Sequence, residues 1–262
     1  MYNPKISIIT ITYNSSKTVE QTILSVINQS YSNFEYLIID GGSTDQTLEV
    51  VNQYKAFISL VISEKDKGIS DAFNKGIAYA SGDIVGIINS DDYLLPDSLS
   101  KVAAHYDSKI DVYRGNLVIW NQKENSKFQE IPSLKFPTIP FGVHVCHPST
   151  FITKNAYGKF GKYSLDLKYM MDTELLTRFY KNGARFKYID FDMAMFRIGG
   201  ATSISITKKK REIEKLITLN GGSHFQIACF YNYLVIKELF KNLLNLFGRD
   251  FRLKLKYKRY PH

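Results

Sequence analysis

The first 90 residues alternate between short apolar segments and segments whose apolar residues recur at helical spacing. The four apolar segments are KISIITITYN, FEYLIID, ISLVISE and GDIVGIIN. Short apolar strands that alternate with helices are typical of a parallel sheet covered by helices on both faces. The pattern therefore predicts an α/β fold, and 262 residues are enough for a sizeable core.

Polar residues follow each predicted strand directly. The four clusters are Thr12–Asn14, Asp40–Gly42, Glu64–Asp66 and Asn89–Asp92. Ligands of open α/β sheets bind beyond the carboxyl ends of the strands, so we expect these clusters to share one site. The sequence contains neither GxGxxG nor GxxxxGK[ST], so neither a Rossmann dinucleotide site nor a P-loop is indicated.

Asp91 and Asp92 are adjacent carboxylates at the end of a buried strand. Such groups repel each other unless a cation lies near them. Magnesium and manganese sites usually combine one or two carboxylates with substrate phosphates. The pair therefore predicts a divalent-cation site, in which one carboxylate takes the metal and its neighbour a ribose hydroxyl. A helix cap before LLPDSL is the alternative interpretation.

The segment DGGSTDQT combines the carboxylate of Asp40 with two glycines. Glycines let the backbone approach a ligand closely, and Asp40 is placed to accept the N–H of a pyrimidine base. An ordinary turn followed by a capped helix fits the same segment, and these residues alone leave both interpretations open.

Four segments together resemble a known family. SIITITYN, IIDGGSTDQT, EKDKGISDAFNKGIAYASGDIVGIINSDD and MMDTELLTRF occur in this order within residues 5–200. They are similar to the inverting family 2 glycosyltransferases of the GT-A fold, and closest to bacterial enzymes that build surface polysaccharides. The resemblance implies a mixed, mainly parallel sheet flanked by helices. It places a catalytic domain at 1–205, with a nucleotide-sugar half at 1–95 and an acceptor half at 96–205.

The resemblance also implies roles for individual residues. It places Thr12 and Tyr13 beside the nucleotide base, Asp40 in a hydrogen bond to the base, Asp71 near the ribose or diphosphate with Lys75 close by, Asp91 on the nucleotide sugar, and Asp92 as the direct ligand of Mn²⁺ or Mg²⁺. Two positions depart from many relatives. Asn89 replaces a carboxylate, which lowers the charge of the site by one, and Gly41 replaces a second acid.

An inverting transfer needs a base that takes the proton of the acceptor hydroxyl, and a carboxylate does this well. Asp172 in MMDTELL matches the base position of the family. Glu174 lies two residues later and cannot share its helix face, so only one of the two can enter the site. A helix-surface acid is the alternative interpretation. His147 and Arg197 are further candidates for contact with acceptor or diphosphate, and a structural role is the alternative for His147.

The positive charge of the chain lies at its C-terminal end. Residues 205–262 hold 13 Lys and Arg against 4 Asp and Glu, whereas the preceding 204 residues hold 21 of each, so the net charge of +9 is confined to this segment. We expect 206–262 to form a helical, basic extension with an apolar stripe through Ile236, Leu239 and Leu243. An amphipathic helix with basic flanks suits an anionic membrane surface. The alternative is that the helix packs on the domain and only the tail is loose.

These observations predict an enzyme that moves a sugar from a nucleoside diphosphate sugar, with UDP the expected nucleotide. The expected acceptor is a saccharide on polyprenyl diphosphate at the inner face of the cell membrane. Two cysteines and no signal sequence favour a cytoplasmic, peripheral protein. A nucleotidyltransferase is one alternative, but TYNSSKTVEQ lacks the basic, glycine-rich loop it needs. A nucleic-acid-binding protein is another, but the charge is confined to one end and no nucleic-acid motif is present.

Overall fold

The structure is a computed structural model that describes residues 2–133, 142–143, 145–198, 206–246 and 248–260. Its elements are β1 (Ile6–Thr12), α1 (Val19–Ile27), β2 (Phe34–Asp40), α2 (Thr47–Gln53), β3 (Leu60–Ser63), α3 (Ile69–Tyr79), β4 (Ile84–Asn89), β5 (Tyr93–Leu94), α4 (Ser98–Ala104), β6 (Val112–Asn121), β7 (Ser126–Glu130), β8 (Thr150–Thr153), α5 (Lys154–Phe160), α6 (Met171–Lys181), β9 (Phe186–Arg197), α7 (Ile206–Leu219), α8 (His224–Asn245), α9 (Arg249–Lys256) and β10 (Lys258–Arg259). Residues 199–205, which include most of the segment RIGGATS after β9, lie outside the described residues, as do 134–141 and 144 in the proline-containing segment before β8.

The strands form one mixed sheet with the order β10-β7-β6-β8-β4-β1-β2-β3. Strands β4, β1, β2 and β3 are parallel, which confirms the alternating pattern of the first 90 residues. Strand β8 joins β4 in antiparallel orientation, and β6 continues the sheet beyond it. Strand β9 pairs with β6 in parallel and with β5 in antiparallel orientation. The predicted mixed, mainly parallel α/β sheet flanked by helices is confirmed.

Apolar side chains cover both faces of the central strands. In β1, Ile8 packs into a cluster with residues of α1 and α4, while Ile9 points to the other face and packs with α3 and α6. Both isoleucines are fully buried. Burial on both faces explains why β1 is a continuous apolar run instead of an alternating one, and it fixes the strand ends that carry the polar clusters.

The basic tail does not lie loose at the surface, so that part of the alternative interpretation is wrong. Lys258 of β10 pairs with Gln129 of β7 in antiparallel orientation. Leu253 of α9 is buried against Ile119 and Phe128 of the sheet. Helix α7 likewise buries three residues, whereas α8 buries none. The tail and α7 are therefore integral to the fold, and α8 is the exposed part of the extension.

Glu35 ties the start of β2 to its neighbours. Its carboxylate accepts hydrogen bonds from Lys5 at 2.8 Å and from the backbone and hydroxyl of Ser81, both at 2.6 Å. Burial opposes ionisation, but these bonds and one from Ser7 outweigh it and lower the pKa of Glu35 to about 2. A depressed pKa adds stability above the ordinary value of 4.5 and loses it as the pH falls toward 2.

We therefore expect Glu35→Gln to lower the free energy of unfolding at pH 7 by about 1.5–3 kcal/mol, the range for hydrogen bonds to charged groups. The loss should shrink as the pH falls below 4.5, because the wild-type carboxyl then loses the same stabilisation. Urea unfolding at pH 7 and pH 3.5 measures both values. Glu49→Gln, on the exposed face of α2, is the control. An equal loss at both pH values would contradict the role of the charge.

Candidate active site

Asp92 follows β4 and is completely buried. Its Oδ1 accepts the backbone N–H of Arg197 at 3.2 Å, and its carbonyl oxygen accepts the hydroxyl of Thr22 at 2.6 Å. Its Oδ2 is buried and has no hydrogen-bond partner among the described residues. Burial and the neighbouring charge of Asp91 raise the pKa of Asp92 to about 8. A buried carboxylate oxygen without a hydrogen-bond partner among the described residues is a suitable ligand for a hard cation.

The rest of such a cation site would not come from protein side chains. Within the described ranges, no group of three or more His, Cys, Asp or Glu side chains is arranged to hold a metal. A magnesium ion commonly keeps several waters and binds through one or two carboxylates plus substrate phosphates. Asp92 together with Asp91 therefore fits an ion that arrives with a phosphorylated substrate.

Arg197 ends β9 beside these carboxylates. Its guanidinium carbon lies 5.5 Å from the ring centroid of Tyr93 and 5.8 Å from that of Trp120, and it donates a hydrogen bond to Gln21. Burial raises the pKa of Asp91, against the opposing charge of Arg197. The residue predicted as a possible diphosphate contact is thus a buried cation next to the acidic pair. No sequence motif pointed to Gln21.

Tyr13, Gly41 and Asp66 come together at the ends of β1, β2 and β3. The side chain of Tyr13 is exposed, and Thr12 is buried in register with Asp40. A Cβ at position 41 would lie 2.9 Å from Oδ2 of Asp66 and 3.5 Å from the ring of Tyr13. Any larger residue at position 41 would therefore press on the carboxylate of Asp66. Sequence reasoning missed Asp66, although it lies in a polar cluster at a strand end.

Asp40 points into its own turn. It is completely buried, and its carboxylate accepts the backbone N–H groups of Gly42 and Ser43 at 3.1 and 2.9 Å, together with the hydroxyls of Ser43 and Ser63. These bonds hold the loop after β2 in place. That Asp40 accepts a hydrogen bond from a base remains a prediction.

Lys75 of α3 is enclosed by three carboxylates. Its ammonium lies 2.7 Å from Asp66, 2.9 Å from Glu64 and 3.3 Å from Asp71. The hydrogen bond to Asp66 is the largest influence that raises the pKa of Lys75, and a backbone hydrogen bond from Lys67 lowers the pKa of Asp71. The ammonium therefore holds the carboxylates of the loop after β3 together and fixes Asp66 beside Gly41.

Asp172 and Glu174 diverge at the start of α6, as the helical spacing predicts. Glu174 is buried and forms two hydrogen bonds with Arg178, at 2.7 and 3.1 Å. Oδ1 of Asp172 instead lies 3.1 Å from Nδ1 of His147, an ion-pair distance without hydrogen-bond angles. Of the two acids, only Asp172 faces the histidine and the interior of the site.

His147 interacts with both acidic centres, Asp172 and Asp92. Its ring stacks on Phe73 with centroids 5.0 Å apart, and its Nε2 has no hydrogen-bond partner among the residues that the structure describes. Burial favours the neutral ring, but the carboxylates of Asp172 and Asp92 outweigh it and raise the pKa of His147. The histidine thus links electrostatically the two carboxylates that the sequence assigned to base and metal.

The fold and the paired carboxylates together define a glycosyltransferase of the GT-A type. The chain belongs to glycosyl transferase family 2, whose family model matches residues 7–163. It is 27% identical over 219 residues to a PGL/p-HBAD biosynthesis glycosyltransferase of Mycobacterium bovis, with 80% of this chain and 83% of that protein covered.

Solved structures share the fold. The complex of S. aureus TarS 1–349 with UDP-GlcNAc matches with a TM-score of 0.63 and 21% identity over 81% of this chain, and the match spans 65% of the TarS chain. The mannosyltransferase PcManGT from Pyrobaculum calidifontis, in complex with GDP-Man and Mn²⁺, matches with a TM-score of 0.61 and 16% identity over 82% of this chain and 63% of that one. At these identities the likeness concerns the fold.

Proposed function

We propose that the protein is an inverting, metal-assisted glycosyltransferase that moves a sugar from a UDP-sugar to a saccharide acceptor. The acceptor is a polyprenyl-diphosphate-linked saccharide of a surface polysaccharide, at the inner face of the cell membrane. The observation that carries the proposal is that His147 lies 3.1 Å from Asp172 and is also close enough to Asp92 for the charge of that carboxylate to raise its pKa. One carboxylate serves the acceptor and the other the departing diphosphate.

Inverting transfer is a single in-line displacement at the anomeric carbon. Asp172 accepts the proton of the acceptor hydroxyl as that oxygen attacks, which is general-base catalysis. Asp92 and Asp91 would hold Mn²⁺ or Mg²⁺, and the ion supplies Lewis-acid stabilisation of the departing diphosphate. Arg197, buried beside the pair, adds a fixed positive charge on the leaving-group side. Glu174 is held by Arg178 and takes no part in the proton transfer.

Asp66 and Tyr13 form the base site in this proposal. Tyr13 offers an exposed ring for stacking, and Oδ2 of Asp66 lies close to Gly41 beside that ring. A carboxylate accepts hydrogen bonds and cannot donate them when ionised. It therefore favours uracil and guanine, whose ring presents an N–H on the base-pairing edge. Cytosine and adenine present an acceptor ring nitrogen at that position. The sugar nucleotides named with TarS and PcManGT, UDP-GlcNAc and GDP-Man, are of these two classes.

A donor panel tests the reaction. UDP-sugars should release UDP in the presence of Mn²⁺ and a lipid-linked saccharide acceptor, and CDP- and ADP-sugars should not. A product with inverted anomeric configuration, seen by NMR, supports the in-line displacement. Release of pyrophosphate from a nucleoside triphosphate and a sugar phosphate, without transfer from any UDP- or GDP-sugar, would show a nucleotidyltransferase instead.

The proposed membrane surface is the outer face of α8. Seven apolar side chains on α8 and at its end are each more than half exposed: Phe225, Tyr233, Ile236, Leu239, Phe240, Leu243 and Leu246. Lys237 and Lys241 are exposed beside this stripe. Within the described residues, no helix is long and apolar enough to cross a bilayer. An exposed apolar stripe with basic flanks suits a helix lying in the interface of an anionic membrane.

We expect the paired change Leu239→Glu and Leu243→Glu to abolish binding to phosphatidylglycerol vesicles. The new charges oppose both insertion and attraction to anionic lipid. Sedimentation with vesicles measures binding, which should also fall with salt in the wild type, since exposed charges are screened beyond about 8 Å at physiological ionic strength. Phe57→Glu, an equally exposed aromatic position outside the extension, is the control. Undiminished sedimentation of the double variant would rule out α8 as the contact.

A further inference from the structure

The start of α6 is held by a side chain from another helix. Met170, which precedes the first helical residue, makes no side-chain capping bond. Glu212 of α7 instead accepts the backbone N–H groups of Lys168, Tyr169 and Met170, at 2.9, 2.8 and 2.9 Å. One carboxylate thus fixes three consecutive residues before the helix, and its negative charge is favourable near a helix N-terminus.

Asp172 lies two residues beyond this anchor. The N–H of Glu174 bonds to the carbonyl of Met170 at 2.8 Å, so the first turn of α6 is built directly on the segment that Glu212 holds. We infer that Glu212 is a positioning residue, which sets the location of the Asp172 carboxylate opposite the acceptor. The inference rests on the proposed function, in which Asp172 is the base.

A second carboxylate extends the connection to α8. Glu238 accepts the N–H of Ile206, the first residue of α7, at 3.1 Å. Lys215 of α7 also lies 2.7 Å from Asp166, in the segment before α6. Two of the four acidic residues in the basic extension therefore hold helix starts. Glu238 of α8 holds the start of α7, and Glu212 of α7 holds the segment before α6. Helix α8, which carries the proposed membrane surface, is thus connected through α7 to the helix that carries Asp172.

The experiment compares Glu212→Ala and Glu212→Gln with Glu214→Gln. Glu214 lies on the same helix, and its carboxylate lies 4.0 Å from the ammonium of Lys210. Glu212→Ala should lower kcat by up to about 10²-fold, the loss that a misplacement of 1 Å can cause. Glu212→Gln, which keeps one acceptor oxygen, should lose less. KM for the UDP-sugar and the Kd of UDP should not change, because the base acts on the acceptor. Glu214→Gln should retain wild-type kcat.

A double-variant cycle separates positioning from general weakening. In an Asp172→Asn background, Glu212→Gln should cause no further loss of kcat, because its effect passes through Asp172. An additive loss, or a parallel loss of UDP affinity, would overturn the inference.

Hydrogen exchange tests the anchor without using activity. Amides of 168–170 should lose protection in Glu212→Gln and keep it in Glu214→Gln, and unchanged protection would overturn the inference. If wild-type protein transfers no sugar while the exchange result holds, the proposed function fails and the anchor stands as a structural device, which also removes the positioning role.

Discussion

Asp172→Asn is expected to lower the rate of sugar transfer by about 10²–10⁴-fold, the usual contribution of a general base. The amide cannot accept the proton of the acceptor hydroxyl, and the substitution changes no apolar packing. Asp172 acts on the acceptor and makes no hydrogen bond to UDP in the proposal. The Kd of UDP should therefore change by less than the loss of one hydrogen bond would cause, that is, within a factor of about two. Steady-state transfer and calorimetry with UDP measure the two quantities.

Glu174→Gln is the matched control, because it alters the neighbouring acid on the other face of α6. It weakens the pair with Arg178 and so should lower the melting temperature while leaving kcat close to the wild-type value. The opposite pattern, with near-normal turnover for Asp172→Asn and an inactive but folded Glu174→Gln, would transfer the base role to Glu174.

Asp92→Asn should abolish the difference between UDP affinity with Mn²⁺ and UDP affinity with chelator. The wild-type protein should bind UDP more tightly with the ion, because Asp92 presents a buried oxygen without a protein partner. A neutral amide is a much poorer ligand for a hard cation. Asp92→Asn should also lose most of the transfer activity, because the departing diphosphate is less stabilised without the ion.

Asp97→Asn is the control for this change. Asp97 lies just before α4, close in sequence to Asp92. Its carboxylate accepts the hydroxyl of Ser30 at 2.6 Å, and its backbone is left-handed, a conformation that asparagine also adopts. Calorimetry with UDP in the presence of Mn²⁺ and in EDTA gives the comparison. Identical affinities in both buffers for the wild type would show that Asp92 is not a metal ligand.

The first half of the fold could be predicted because β1, β2 and β4 are buried on both faces. Such strands are continuous apolar runs, and each ends where polar residues begin, so both the elements and the position of the site are visible in the sequence. Strand β7 was missed for the converse reason. SKFQE has only one apolar residue and pairs with β6 across a short hairpin, so its sequence carries little signal.

The resemblance alone favoured Asp172 over Glu174 as the base, and one local signal pointed the same way. Arg178 follows Glu174 by four residues, a spacing at which opposite charges pair on a helix. The role of Glu212 had no such signal. Its partners are backbone groups of residues 42 to 44 positions away, and any residue type can supply a backbone N–H. Contacts of this kind depend on tertiary packing and leave no pattern in the sequence.

The short strand β10 has a consequence for solubility. It lies at the outer end of the sheet order, where an unpaired strand would offer its backbone groups to other molecules. Here the outermost strand has only two residues, Lys258 and Arg259, both exposed. Short, positively charged edges discourage sheet-to-sheet association. A chain that lacked residues 249–262 would expose β7, with Phe128 at its centre, and we expect it to self-associate through that edge.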